Sequence, residues 1–193
     1  MGRLNPQRTL FHTFDEPSDA LALDGGRPLL MRLRDIIVAF VEFREQVVTR
    51  RTIYLLRKAR ERAHTLLGLA VAVANIDEVI ALIRRAPDPA TARAEMMARA
   101  WPAQDVLGLI ALIEEAGRGG ASADGTYRLT EEQARAILDL RLQRLTALER
   151  GKIAEELDGI VIEIKGYLEI LGSRQRLMDV IRQELREVKE QFA

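Results

Sequence analysis

Tyrosine has the most distinctive chemistry to offer in this sequence, because its oxygen can attack a phosphodiester and hold a covalent intermediate. The three tyrosines are Tyr54, Tyr127 and Tyr167. Tyr54 and Tyr167 fall in long helical patterns, and Tyr127 follows a glycine-rich stretch. None stands on an exposed loop with the basic and acidic neighbours that such an attack needs, so all three read as packing aromatics. The two histidines, His12 and His64, have no second ligand type near them at metal-binding spacing. His64 lies mid-helix after a basic run and reads as structural. The glycines at 117, 119 and 120 neither follow a strand nor open a helix, so they form a loop and not a phosphate cradle. Carboxylates are plentiful but sit beside Lys and Arg on helix faces, as solvated surfaces do. The residues therefore predict no catalytic, cofactor-binding or metal site, and no cofactor in this chain.

One electrostatic feature remains. Arg44, Arg50, Arg51, Arg57, Lys58, Arg60 and Arg62 face only Glu45 and Glu61 within the same stretch. A local excess of cations on a rigid helix can guide a duplex by phosphate attraction without reading its sequence. The competing reading, which we favour, is a solvated face paired to acids on a partner helix, where Glu155, Glu156, Glu163 and Glu169 stand ready. Arg44, Arg50, Arg51, Arg57 and Lys58 are the candidate weak DNA-facing residues.

The elements that must position these groups are helical. Residues 35–75 carry an apolar stripe at Ile37, Val41, Val48, Thr52, Leu55, Ala59, Ala63, Leu66, Ala70 and Val73, in steps of threes, fours and one seven. Asp35 is the expected N-cap. Phe40, Phe43, Val47 and Tyr54 widen the apolar face near its start, which implies contact with something bulkier than one partner helix. Residues 66–76 are apolar nearly all round and should be buried. A second tract, residues 130–192, opens at a capping box of Thr130 and Gln133. It continues through Ile137, Leu138, Leu142 and Leu145, then Ile153, Leu157, Ile160, Ile164, Leu168 and Leu171. Gly172 reads as a C-cap glycine before a fresh N-cap at Ser173, and Leu177, Ile181, Leu185, Val188 and Phe192 follow. A helix that long cannot bury its stripe alone, so the two tracts should pair antiparallel as a stalk, with the intervening segment as a helical knob.

Between the tracts, Asp77 should cap a helix over 78–85. Asp88-Pro89 should start another towards 100, and Trp101-Pro102 should repeat the device for 104–116. Residues 117–125 read as an exposed loop. Upstream, residues 1–20 show no period, and 20–33 read as a short β-hairpin turned by Asp24-Gly25. A lone hairpin is marginal, so it should lean on a helix or belong to a larger sheet. The fold class is all-α, a long antiparallel coiled-coil arm with a small helical globular domain at its tip, plus the hairpin.

With 193 residues, 48% apolar, 30% charged and a formal net charge of +0, the composition fits a soluble, strongly helical chain with no bulk attraction to nucleic acid. Absence of cysteine excludes disulfide and thiolate chemistry and is compatible with a reducing cytoplasm. No apolar run is long enough to span a membrane and no signal peptide opens the chain, so a cytoplasmic location is expected.

Specific words then become recognisable. Arg34-Asp35-Ile36-Ile37, Val47-Val48-Thr49-Arg50-Arg51-Thr52, Lys58-Ala59-Arg60-Glu61-Arg62-Ala63-His64 and Ala72-Val73-Ala74-Asn75-Ile76-Asp77 resemble the A subunit of DNA gyrase. So do residues 129–146 and the closing Ile181-Arg182-Gln183-Glu184-Leu185. The resemblance runs in order over about residues 21–193, with the A subunit of topoisomerase IV as the nearest rival. It implies part of a type IIA DNA topoisomerase: a divergent N-terminal segment with a remnant of the tower domain (1–33, hairpin 21–33), the first coiled-coil helix (34–75), the exit-gate domain (76–146) and the returning helices (147–193). In that family two arms meet at their tips and enclose a cavity that receives the transported duplex. The resemblance makes Ile137, Leu138, Leu142 and Leu145 candidates for the contact between two copies. It implies a homodimer through the helical tip, non-specific DNA and the gyrase B subunit as partners in the parent enzyme, and no membrane. The family's active-site tyrosine domain and its DNA-wrapping domain have no counterpart here. No catalytic residue is carried over, and no strand cleavage is expected of this chain alone; it looks like an excised, truncated or rearranged fragment. The alternative is an independent structural coiled coil that tethers DNA or a protein partner. It predicts salt-sensitive DNA binding without tip-to-tip dimerisation.

Overall fold

The computed structural model describes residues 20–113, 125–140 and 147–192. Two strands open it, β1 (Ala20–Asp24) and β2 (Arg27–Met31), paired antiparallel with Leu21 opposite Leu30 and Asp24 opposite Arg27. The turn residues are Gly25 and Gly26, with φ of 55° and 80°. Positive φ at both central positions suits the twist of a two-residue hairpin, and glycine adopts it without steric cost. The expected Asp-Gly turn is thus a Gly-Gly turn, and Asp24 belongs to the strand.

Seven α-helices follow among the described residues. They are α1 (Leu33–Ala74), α2 (Ile76–Arg85), α3 (Pro89–Ala98), α4 (Leu107–Ile113), α5 (Glu131–Asp139), α6 (Ala147–Gly172) and α7 (Arg174–Phe192). The all-α class with a small hairpin is as expected, and several helix ends differ. Asp35 lies inside the first turn of α1 and reaches back, accepting the Arg32 N–H at 3.2 Å. Asn75, not Asp77, precedes α2, and its side chain makes no cap bond there. Its amide instead donates to the carbonyls of Val71 (2.8 Å) and Pro102 (3.0 Å), across the bend of 90° between α1 and α2. Asp88 caps α3 as read, with Pro89 in the first turn.

Trp101-Pro102 does not cap a helix. It forms a two-residue strand, β3, paired with β4 (Thr126–Tyr127). The reason is burial: Trp101 is fully enclosed, and its indole N–H donates to the Met96 carbonyl at 2.9 Å. A 3-10 turn at Gln104–Val106 then leads into α4. Gly172 is the last residue of α6 and does not take the left-handed conformation of a C-cap glycine.

The chain divides into two compact units. The first holds Met1–Arg51 and Gln175–Ala193, so it contains the hairpin, the start of α1 and nearly all of α7. Few of its described residues are buried, among them Val48 of α1 and Leu177 and Ile181 of α7. Arg44 and Arg51 of α1 both pair with Glu184 of α7, the first at 2.6 Å. The second unit, Thr52–Arg174, carries the main core. There Leu66, Leu67 and Met96 are fully enclosed with Trp101, Tyr127, Ile137 and Ile164, each worth about 1.5–3 kcal/mol of burial or more. Leu56, Ala59 and Ala63 of α1 join the same cluster as Leu157, Val161 and Ile164 of α6, and Arg62 pairs with Glu156 at 2.6 Å. The stripe read from the sequence is buried at Val48, Thr52, Ala59, Ala63 and Leu66, whereas its first member, Ile37, is half exposed. Among the described residues, no single helix is long and apolar enough to cross a membrane.

Candidate functional site

Helix α5 leads into the segment where a contact between copies is expected, and a closed set of polar contacts fixes its first turn. Gln133 is fully buried. Its backbone N–H donates to Thr130 Oγ1 at 3.4 Å, while its Oε1 accepts the Thr130 N–H at 3.0 Å, completing the expected capping box. Capping leaves the amide nitrogen to act elsewhere. Nε2 donates to the His64 carbonyl of α1 at 2.8 Å and lies 2.9 Å from the Tyr127 hydroxyl. His64 closes the ring, with Nε2 2.9 Å from Thr130 Oγ1. One glutamine therefore caps its own helix and ties it to another, where an unsatisfied buried amide would be costly.

Gly68 makes this possible. A Cβ added there would lie 2.5 Å from Gln133 Cγ and 2.6 Å from its Cβ. Gly68 stands one turn after His64, so the missing side chain is what lets the amide reach the carbonyl of residue 64. In the sequence Gly68 was legible only as a glycine inside a helical run, a pattern that often marks close packing. His64 and Tyr127, expected to be structural, both belong to this joint. Beside it, a cleft of about 660 Å³ is lined by Leu56, Ile113, Arg57, Arg135, Glu61 and Glu132 among others, with charges of both signs.

The candidate gate residues separate. Ile137 is fully buried in the chain's own core, and Leu138 is half buried against it. Ile137 is therefore spent on internal packing, because α5 turns that face towards the core and not outward. Leu142 and Leu145 lie outside the described residues.

The candidate DNA-facing residues separate too. In the first unit, Arg44 and Arg51 are held by Glu184, an acid not among those expected, and Arg50 Nε donates to the Gln46 carbonyl at 3.4 Å. In the second unit, Arg57 and Lys58 lie over the ring of Tyr54, 5.7 and 5.1 Å from its centroid. The Tyr54 hydroxyl, as hydrogen-bond partner, holds the Lys58 ammonium above the ordinary lysine range. Arg62 takes Glu156, one of the acids expected to do so. The paired-face reading thus describes Arg44, Arg51 and Arg62, and leaves the Tyr54 cluster facing solvent.

A family model described as the A subunit of DNA gyrase/topoisomerase IV matches residues 12–186. The chain belongs to that family. The match begins some residues before position 21, where the resemblance was read to start. The chain is 51% identical over 173 residues to the DNA gyrase A subunit of Rickettsia bellii, covering 90% of the chain and 19% of the relative. Identity to the DNA gyrase A subunit of Granulibacter bethesdensis is 54% over 172 residues, covering 89% of the chain and 18% of the relative. For the DNA gyrase A subunit of Salmonella typhimurium it is 50% over 182 residues, with 89% and 20% covered. The chain thus spans about a fifth of the length of these gyrase relatives.

Proposed function

We propose that this region is the arm and exit-gate part of a type IIA DNA topoisomerase, non-catalytic itself, which opposes escape or backflow of a transported duplex by reversible contact between two copies. In the parent enzyme that contact would be a homodimer contact, DNA the passenger, and ATP hydrolysis by the gyrase B subunit the drive for supercoiling. The observation that carries this reading is the family match over residues 12–186, on a chain whose first helix alone runs for 42 residues. The Gln133 joint supports it mechanically, since a gate transmits force only if the helix leading to the contact is fixed to the element behind it. A gate must also open, which favours a modest interface at the transient end of the size range, below about 1,200 Å² in total.

Sedimentation of the purified chain across a concentration series tests the reading. A concentration-dependent dimer is expected, and it is lost when Leu142 or Leu145 is replaced by Glu. A chain that stays monomeric throughout, or a dimer indifferent to both replacements, overturns it.

A further inference from the structure

The seven cations between residues 44 and 62 look equivalent in the sequence, but their partners are not. Glu184 takes Arg44 and Arg51, and Glu156 takes Arg62. Arg57 and Lys58 have a different neighbour. Both lie over one aromatic ring, that of Tyr54, which is itself 46% exposed. The opposing acid is Glu61, 3.9 Å from Arg57 one turn on, with both side chains more than half exposed. Such a pair is screened and contributes little, so it does not remove the arginine from circulation. A tyrosine ring gathers the two cations by its negative face and limits the rotamers of both, which lowers the entropy lost when they meet an anion.

We propose that Tyr54, Arg57 and Lys58 form a preset phosphate-contact cluster for duplex DNA, with Tyr54 as the positioning residue. This rests on the DNA-handling part of the function proposed above and narrows its contact surface to three residues. Two cations held side by side suit successive phosphates of one strand, whereas none of the three reads bases from an outward helix face, so binding is independent of sequence. The Lys58 ammonium is charged at physiological pH as any exposed lysine is, and its interaction with the Tyr54 hydroxyl moves its pKa further up.

The test is fluorescence anisotropy of the full chain with a labelled duplex of arbitrary sequence, titrated at several salt concentrations. Loss of two phosphate contacts in the double variant Arg57→Ala, Lys58→Ala should flatten the slope of log K against log salt by about 1.8. Arg44→Ala and Arg51→Ala should leave that slope unchanged. Tyr54→Ala should weaken binding about two- to fivefold, and Tyr54→Phe should restore most of it, because the ring face that gathers both cations is kept and only the hydroxyl contact to Lys58 is lost. An unchanged slope in the double variant, an equal flattening by Arg44→Ala, or displacement of the duplex by poly-glutamate as readily as by unlabelled DNA would each overturn the assignment. A wild-type chain with no affinity for duplex overturns it as well. The dimer measured by sedimentation is a separate readout, so that result would leave the gate proposal standing.

Discussion

Among the described residues, the second unit encloses most of its apolar side chains, and the first leaves many of its own in solvent. In the second, Ala63, Leu67, Met96, Trp101, Ile137 and Ile164 are all fully buried, and the buried amide of Gln133 is hydrogen-bonded through both its oxygen and its nitrogen. In the first, Leu21, Leu23 and Leu30 of the hairpin are each more than 70% exposed, and Phe43 of α1 is 55% exposed. Along α7 the exposure climbs from 2% at Ile181 to 42% at Leu185 and 83% at Phe192. Two helices and a two-stranded ribbon cannot surround their own apolar faces, whereas a larger set of helices packed round a ribbon can. The amphipathic pattern is similar in both units; what differs is how many elements are present to share each face.

Truncations would sharpen that contrast most. Ile164→Ala in the enclosed unit should cost about 2–5 kcal/mol, read as a lower urea midpoint. If the loss is near zero, that core is looser than its burial implies. Next comes Gly68→Ala, which drives a methyl into Gln133 and should cost about 1–3 kcal/mol through overpacking. Its control is Gly159→Ala, where nothing lies within 4 Å of the new Cβ, and there a gain of about 0.5–1 kcal/mol is expected. Equal effects at the two glycines would mean that the joint is not the constraint described. In the open unit, Leu30→Ser should stay within about 0.5 kcal/mol, since the side chain is already 71% exposed. A large loss at Leu30 would erase the contrast by showing that something covers the hairpin.

The smallest expected effect is a pH dependence at a surface cap. Hydrogen bonds from the Thr91 backbone, and then from its hydroxyl, hold the Asp88 carboxyl below its ordinary value of 3.8. A depressed folded-state value means that this stabilisation is present above about pH 3.8 and fades as the pH falls through the lower folded value. Thermal melts between about pH 5 and pH 2 should therefore converge for the native chain and Asp88→Ala at the acid end. Curves that stay parallel would show that the charged cap contributes nothing.

Much of this was legible beforehand, for local reasons. Asp88-Pro89 and the Thr130–Gln133 box are short-range devices whose partners lie within three residues, so spacing reveals them. The burial expected from residue 66 onward followed from an apolar surface on all sides, and Leu66, Leu67, Val71 and Ala72 are buried. Two readings failed, Asp77 as a cap and Trp101-Pro102 as a helix start, and the packing of a third residue, Ile137, was not legible. Asn75 serves Pro102, Trp101 enters a ribbon with Tyr127, and Ile137 faces the core. Of the basic face, Arg62 with Glu156 was foreseeable from complementary charges, but Arg44 with Glu184 required knowing which turns of α1 and α7 meet.

Neighbouring residues settle the helical class, the two long tracts, the hairpin, two helix caps and membership of the gyrase family, since periodicity, capping chemistry and shared words are all short-range properties of a chain. Packing had to supply the rest: that Gln133 works on two helices at once, that Gly68 leaves room for it, and which cations are already paired. Those contacts join residues as far as 140 positions apart, and no local pattern encodes which turn of one helix will meet which turn of another.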